Sequence, residues 1–140
     1  LVSFLVMSGG NKLARRDSIP LGTEDGILTA KEISLQNLQN VNLLVLSTCQ
    51  SGLGDSSSEG VMGLQQGFKK AGVNTIVMSL DYVDDEATQL LMKYFYSNLF
   101  AGMNKRESLI KAQQHLRKYK NGKYDKPQYW ASFIMLDGLN

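Results

Sequence analysis

One cysteine, Cys49, and one histidine, His115, occur in 140 residues. A lone thiol excludes an intrachain disulfide and any multi-cysteine metal site, and it fits a reducing, cytoplasmic compartment. No apolar run approaches the length of a membrane span, and Leu1–Met7 lacks the basic region and cleavage site of a signal peptide, so no membrane contact is indicated. Charge of one sign is also missing. Lys and Arg number 15 against 13 Asp and Glu, a formal net charge of +2, and the two signs are interspersed, which gives no indication of nucleic-acid contact. No spacing of His, Cys, Asp or Glu suggests a metal, and no cofactor fingerprint is present.

Hydrophobic residues make up 43% of the chain, enough for one domain with a core, or most of one. Leu1–Met7 reads as a strand. A chain that opens inside a strand, without an initiating methionine, is expected to be part of something longer. A polar loop runs to Asp25 and Gly26–Leu28 fits a short strand. Thr29 stands three residues before Glu32, a capping-box spacing that predicts a helix from Ala30. The apolar run Leu43–Leu46 predicts a strand buried on both faces, of the kind found in parallel sheets covered by helices. Gln50 to Glu59, rich in Gly and Ser, is a loop. Val61, Leu64, Phe68 and Ala71 then recur at helical spacing, and Gly72 stands at the C-cap position.

Asn74–Leu80 predicts the next buried strand. Asp84, Asp85 and Glu86 open a helix, where negative charge suits the macrodipole, and Leu90, Leu91, Tyr94, Phe95 and Leu99 form its apolar side. Gly102 closes it. Asn104 and Glu107 start another helix with Leu109, Ala112, Leu116 and Tyr119 facing inward, and Tyr129–Leu136 completes the pattern as a last strand. This order predicts an open α/β sheet, in which ligands bind beyond the carboxyl ends of strands.

Cys49 falls at such an end. A free cysteine is commonly an inert core residue. This one, however, ends an apolar strand and starts the loop Gln50-Ser51-Gly52-Leu53-Gly54, where a thiol meets solvent and backbone N–H groups can face a developing oxyanion. A neighbouring imidazole would convert it to the nucleophilic thiolate. His115 lies in a helix beside an apolar stripe and reads as a solvated edge residue. Glu59-Gly60 before a helix is a weak phosphate signal, because the Walker lysine and the spaced glycines are missing. Trp130 and its neighbouring tyrosines read as core or rim.

Leu44-Val45-Leu46-Ser47-Thr48-Cys49-Gln50-Ser51-Gly52-Leu53-Gly54 resembles the nucleophile segment of CHAT domains, caspase-like clan CD cysteine peptidases often associated with tetratricopeptide repeats. Further matches follow in order: Asp25 to Ile33, Glu59-Gly60-Val61 through Ala71-Gly72-Val73, and Ser79-Leu80 with Val83-Asp84-Asp85 and Thr88. Phe95-Tyr96, Leu99, Ala112-Gln113 and Pro127 with Tyr129 to Phe133 complete the series. The resemblance implies a caspase-like three-layer α/β fold, with a mostly parallel central sheet and helices on both faces. It also implies that residues 1–140 are the Cys-bearing part of a CHAT domain, with Cys49 as nucleophile of an endopeptidase acting on protein substrates. The family's His-Gly motif is absent and belongs ahead of the segment matching Leu1–Asn11. Upstream tetratricopeptide repeats are a family expectation.

Asp81 replaces the family's tryptophan. With Asp84 and Asp85 it makes the segment after the neighbouring strand acidic, and basic-specific relatives such as separase use an acid in this region. Asp81, Asp84 and Asp85 are therefore candidates for the P1 pocket, with helix capping as the plain alternative. The competing functional readings are an inactive caspase-like scaffold and a binding module with a structural cysteine.

Overall fold

The computed structural model of the chain describes residues 4–6, 27–47, 58–79 and 83–137. They belong to two compact units, one of residues 1–43 and 54–74 and one of residues 44–53 and 75–140.

In the first unit, β1 (Phe4–Val6) pairs antiparallel with β2 (Ile27–Thr29), Leu5 opposite Leu28. Thr29 ends β2 and caps α1 (Ala30–Ser34) with the reciprocal bonds that its spacing to Glu32 predicts. The Thr29 hydroxyl accepts from the Glu32 N–H at 3.2 Å, and the Glu32 carboxylate accepts from the Thr29 N–H at 2.8 Å. That backbone bond, followed by the Thr29 hydroxyl, lowers the Glu32 pKa.

Ile33 seats α1 with no exposed surface, beside α2 (Ser58–Ala71). The two helices approach closely at Gly67, where a Cβ would stand 2.6 Å from the Ala30 carbonyl oxygen. Gly72, at φ +104°, ends α2. The Val73 N–H reaches back to Phe68 O and the Gly72 N–H to Lys69 O, at 3.1 Å each, which is the Schellman closure.

The second unit is built on a sheet of order β3-β4-β5, with β3 at Leu43–Leu46, β4 at Thr75–Ser79 and β5 at Phe133–Leu136. All five residues of β4 are buried, as expected of a central strand, whereas those of β3 are half-buried. The expectation of burial on both faces therefore holds for β4 and only in part for β3, an edge strand of the described sheet.

Two helices follow β4: α3 (Asp85–Phe100) and α4 (Lys105–Lys118), turned at Gly102 with φ +90°. Ala87, Leu91 and Phe95 of α3, with Ser108, Leu109, Ala112 and Leu116 of α4, are buried. Asn104 caps α4, its side-chain oxygen accepting from the Glu107 N–H at 2.9 Å.

One correction to the sequence reading concerns the end of the chain. The expected strand Tyr129–Leu136 begins instead as a helical turn, α5 (Pro127–Trp130), and only Phe133–Leu136 is strand. Pro127 occupies a first-turn position, where its fixed φ favours helix. The Ala131 N–H closes the turn on Pro127 O at 2.7 Å. The Gln113 carboxamide then donates to Trp130 O at 2.9 Å and to Phe133 O at 3.2 Å, fastening the turn to α4.

The strand directions in this sheet are mixed. β5 runs antiparallel to β4, Ser79 opposite Phe133 and Ile76 opposite Leu136, so these three strands form a mixed sheet. The cause is the pair of helices between them. α3 leaves the carboxyl end of β4 and α4 returns, so the chain re-enters the sheet from the end at which it left. Lys105, at the start of α4, reaches Thr75 at the amino end of β4. Lys123, just past α4, reaches Glu86 at the start of α3.

Candidate functional site

Because β4 and β5 are antiparallel in a mixed sheet, β3 and β4 run parallel, and their carboxyl ends share one edge with the amino end of β5. Leu46 closes β3 and Ser47 is exposed. Cys49 and Asp81 lie outside the described residues.

Past β4, Val83 is buried at 4% exposure and fixes the chain just before Asp84. The Asp84 carboxylate accepts from the Ala87 N–H at 2.9 Å, and Asp84 O accepts from Thr88 N–H at 2.9 Å. Asp84 is thus the N-cap of α3, and its charge faces the positive end of the helix macrodipole. Asp85 is exposed in the first turn. Capping explains the position of Asp84, and Asp84 and Asp85 are both exposed, past the carboxyl end of β4.

Glu86 is a contact that the sequence does not reveal. Its carboxylate takes the Lys123 ammonium at 2.6 Å and also accepts from the Tyr124 hydroxyl. Lys123 first and Tyr124 second hold the Glu86 carboxyl below its ordinary pKa, while the pKa of Lys123 is raised, chiefly by Glu86. Tyr124 is buried at 3% exposure, and burial followed by the bond to Glu86 raises its pKa. The Tyr124 ring stacks on Tyr119 at 5.9 Å and meets Tyr129 edge-on at 5.0 Å. These contacts span 37 and 38 positions in the chain, and no local pattern announces them.

His115 is exposed in the last turn of α4, with its ring edge-on to Tyr94 at 5.2 Å. Trp130 is half-buried on α5 and donates its indole N–H to Asp125 O at 3.0 Å. Glu59 and Gly60 lie in the first turn of α2. At the opposite edge of the sheet, Asp137 accepts from Thr75 at 3.1 Å and from Arg106 at 2.8 Å. Among the described residues, no three His, Cys, Asp or Glu side chains gather as a metal site, and no helix is long and apolar enough to cross a membrane.

A parallel strand pair leading into the Cys49 segment, beside an acid-capped helix, fits the resemblance of the sequence to CHAT domains, and comparison with known families agrees. The family model of the CHAT domain matches residues 1–138, and the chain belongs to this caspase-like family. Among curated proteins it is similar to the mouse (Mus musculus) Tetratricopeptide repeat protein 28, 29% identical over 110 residues, which is 79% of this chain and 4% of that protein. The human (Homo sapiens) Tetratricopeptide repeat protein 28 is 28% identical over the same length, again 79% of this chain and 4% of the relative. The chain therefore spans a small part of the curated relatives it matches. No solved structure matches it.

Proposed function

We propose that the chain is the Cys-bearing part of a caspase-like cysteine endopeptidase, with Cys49 as nucleophile. The observation that carries the reading is the CHAT family match over residues 1–138, with the Cys49 segment following a strand parallel to β4. The Cys49 sulfur attacks the scissile carbonyl carbon of a protein substrate, and the C–N bond breaks as an imidazolium gives its proton to the leaving amine. Water then attacks the thioester, releasing the new carboxyl end and restoring the thiol. Backbone N–H groups, that of Cys49 included, hold the oxyanion in both steps. The histidine is supplied by sequence preceding the segment that matches Leu1–Asn11, as the resemblance implies, and tetratricopeptide repeats in the parent protein present substrates or regulators. The site acts in the cytoplasm, in line with the single thiol.

The caspase-like three-layer arrangement with a mostly parallel sheet belongs to this proposal, the missing strands coming from the rest of the domain. So does the P1 pocket. Asp81, Asp84 and Asp85 would bind a substrate Arg or Lys by charge-assisted contacts, and a small apolar P1 would leave them unpaired. The experiment is a P1-varied peptide library cleaved by the parent protein, alongside Cys49→Ala and single Asp→Asn variants. Cleavage after Arg or Lys, abolished by Cys49→Ala and relaxed by at least one Asp→Asn change, supports both parts. Preference for Leu or Met, unchanged by all three Asp→Asn variants, removes the acidic pocket and leaves the nucleophile. Cleavage that survives Cys49→Ala, or no labelling of Cys49 by a thiol-directed acyl probe, removes the peptidase reading in favour of an inactive scaffold.

A further inference from the structure

The formal net charge is only +2, but five Lys or Arg residues and a single acid, Asp125, fall between residues 117 and 126. In the fold Arg117, Lys118 and Asp125 of this stretch line a cavity. A recess of about 480 Å³ is lined by Gln114, Arg117, Lys118, Asn121, Gly122 and Asp125, a volume within the ordinary range for ligand sites. Its wall is an unusual turn. Lys120, Asn121 and Gly122 are all left-handed, at φ +44°, +58° and +91°. The turn is held by bonds from the Gly122 and Lys123 N–H groups to Tyr119 O and from the Asp125 N–H to Gly122 O. Non-glycine residues rarely adopt this conformation, and two in succession mark a segment whose shape its surroundings enforce.

The chemistry of the lining is dominated by donors. Arg117 gives its Nε–H to Asp125 at 2.9 Å, which leaves its two terminal amino groups for other acceptors. Its guanidinium carbon stands 4.8 Å over the Trp130 ring, so the cation is braced from below. Lys118 is exposed and has no acidic partner among the described residues. The Gln114 and Asn121 carboxamides add further N–H donors. The carbonyl end of α4 contributes about half a negative charge at this place, and two lining cations outweigh it together with Asp125.

We propose that this recess is a binding site for an acidic peptide segment, with an Asp or Glu carboxylate held by Arg117 and Lys118. The inference does not depend on any chemistry at Cys49. A peptide is favoured over nucleic acid because two cations, Arg117 and Lys118, stand together at one recess, a match for one or two carboxylates. A continuous polyphosphate backbone is better served by a line of cations. Asp125 acts as an internal competitor that occupies part of Arg117 until an external carboxylate arrives.

Trp130 is the only tryptophan and lies directly under Arg117, so its fluorescence reports occupancy. The full chain is titrated at fixed ionic strength with a tryptophan-free peptide of Glu and Asp, and with a Lys peptide of the same length. Anisotropy of a labelled acidic peptide gives a second readout that does not depend on Trp130. A saturable signal is expected for the acidic peptide alone, weakened about fivefold or more by Arg117→Gln and about two- to fivefold by Lys118→Gln. Asp125→Asn should tighten binding by about two- to fivefold, because it frees Arg117 and removes a like charge. A merely structural Arg117–Asp125 pair would not give that gain. The proposal is overturned by the absence of saturation, by equal binding of the Lys peptide, or by weaker binding to Asp125→Asn of native circular dichroism. A single-stranded oligonucleotide of equal charge that binds more tightly, with the same dependence on Arg117 and Lys118, overturns it in favour of nucleic acid.

Discussion

Single residues decide how closely the pieces of each unit approach, and Gly67 is the clearest case. In the middle of a helix glycine is about 1 kcal/mol less favourable than alanine, so its presence there calls for a packing reason. The reason is the Ala30 carbonyl oxygen, 2.6 Å from where a Cβ would stand. Backbone cannot swing aside as a flexible side chain can, and overpacking of this kind costs about 1–3 kcal/mol. Gly67→Ala is expected to lose about 1–2 kcal/mol despite its better helix propensity, read as a lower urea midpoint at unchanged slope.

Glu86 belongs to the same scale. Its folded pKa is lowered by Lys123 and Tyr124, so its contribution to stability is fully present above the unfolded carboxyl value of about 4.3. It is lost as pH falls through the lower, folded value. Asp137, lowered first by the Arg106 bond and aided by Thr75, follows the same sign from its own unfolded value of about 3.9. Thermal melts of Glu86→Gln and Asp137→Asn should fall below wild type at pH 7 and converge with it towards pH 2. Equal gaps at both pH values would show that these carboxylates matter through packing and not through charge.

At the scale of elements, the ends of helices carry both stability and the candidate site. Asp84 caps α3 through the Ala87 N–H, and a lost N-cap of this type costs about 1 kcal/mol. Asparagine caps as well as aspartate, which separates the two roles assigned to this position. Asp84→Ala should destabilise the chain by about 1 kcal/mol, whereas Asp84→Asn should leave the urea midpoint nearly unchanged. A P1 role then shows as altered cleavage preference in the Asn variant of the parent protein, without a stability change. The hairpin of α3 and α4 acts on a longer range, because it returns the chain to the carboxyl end of β4, from which β5 enters antiparallel.

For the whole molecule, the proposed mechanism makes a simple demand. A cysteine thiol with no imidazole beside it has a pKa of about 8.5 and is mostly protonated near neutrality. The leaving amine also lacks its proton donor. His115, the single histidine, is exposed in the last turn of α4 against Tyr94. Residues 1–140 alone are therefore expected to show no peptide hydrolysis, measured with a fluorogenic Arg or Lys substrate. Hydrolysis abolished by both Cys49→Ala and His115→Ala would assign His115 the part of the base.

The sequence by itself determined whatever depends on neighbours within a few positions. The Thr29–Glu32 box, the Gly72 closure, the Asp84 and Asn104 caps and the buried run of β4 are all local, because caps and periodicity act over three or four residues. Family membership was legible for a related reason, since its matches are short segments that keep their order along the chain. Tertiary structure decided the rest. The direction of β5 depends on how two helices return to a sheet, the helical turn at Pro127–Trp130 on a brace from Gln113, and the Glu86–Tyr124 tie on groups 38 positions apart. The basic recess joins α4 to a left-handed turn whose backbone no composition reveals. Each of these is set by the balance of burial and hydrogen bonding among distant groups, which exists only once the chain has folded.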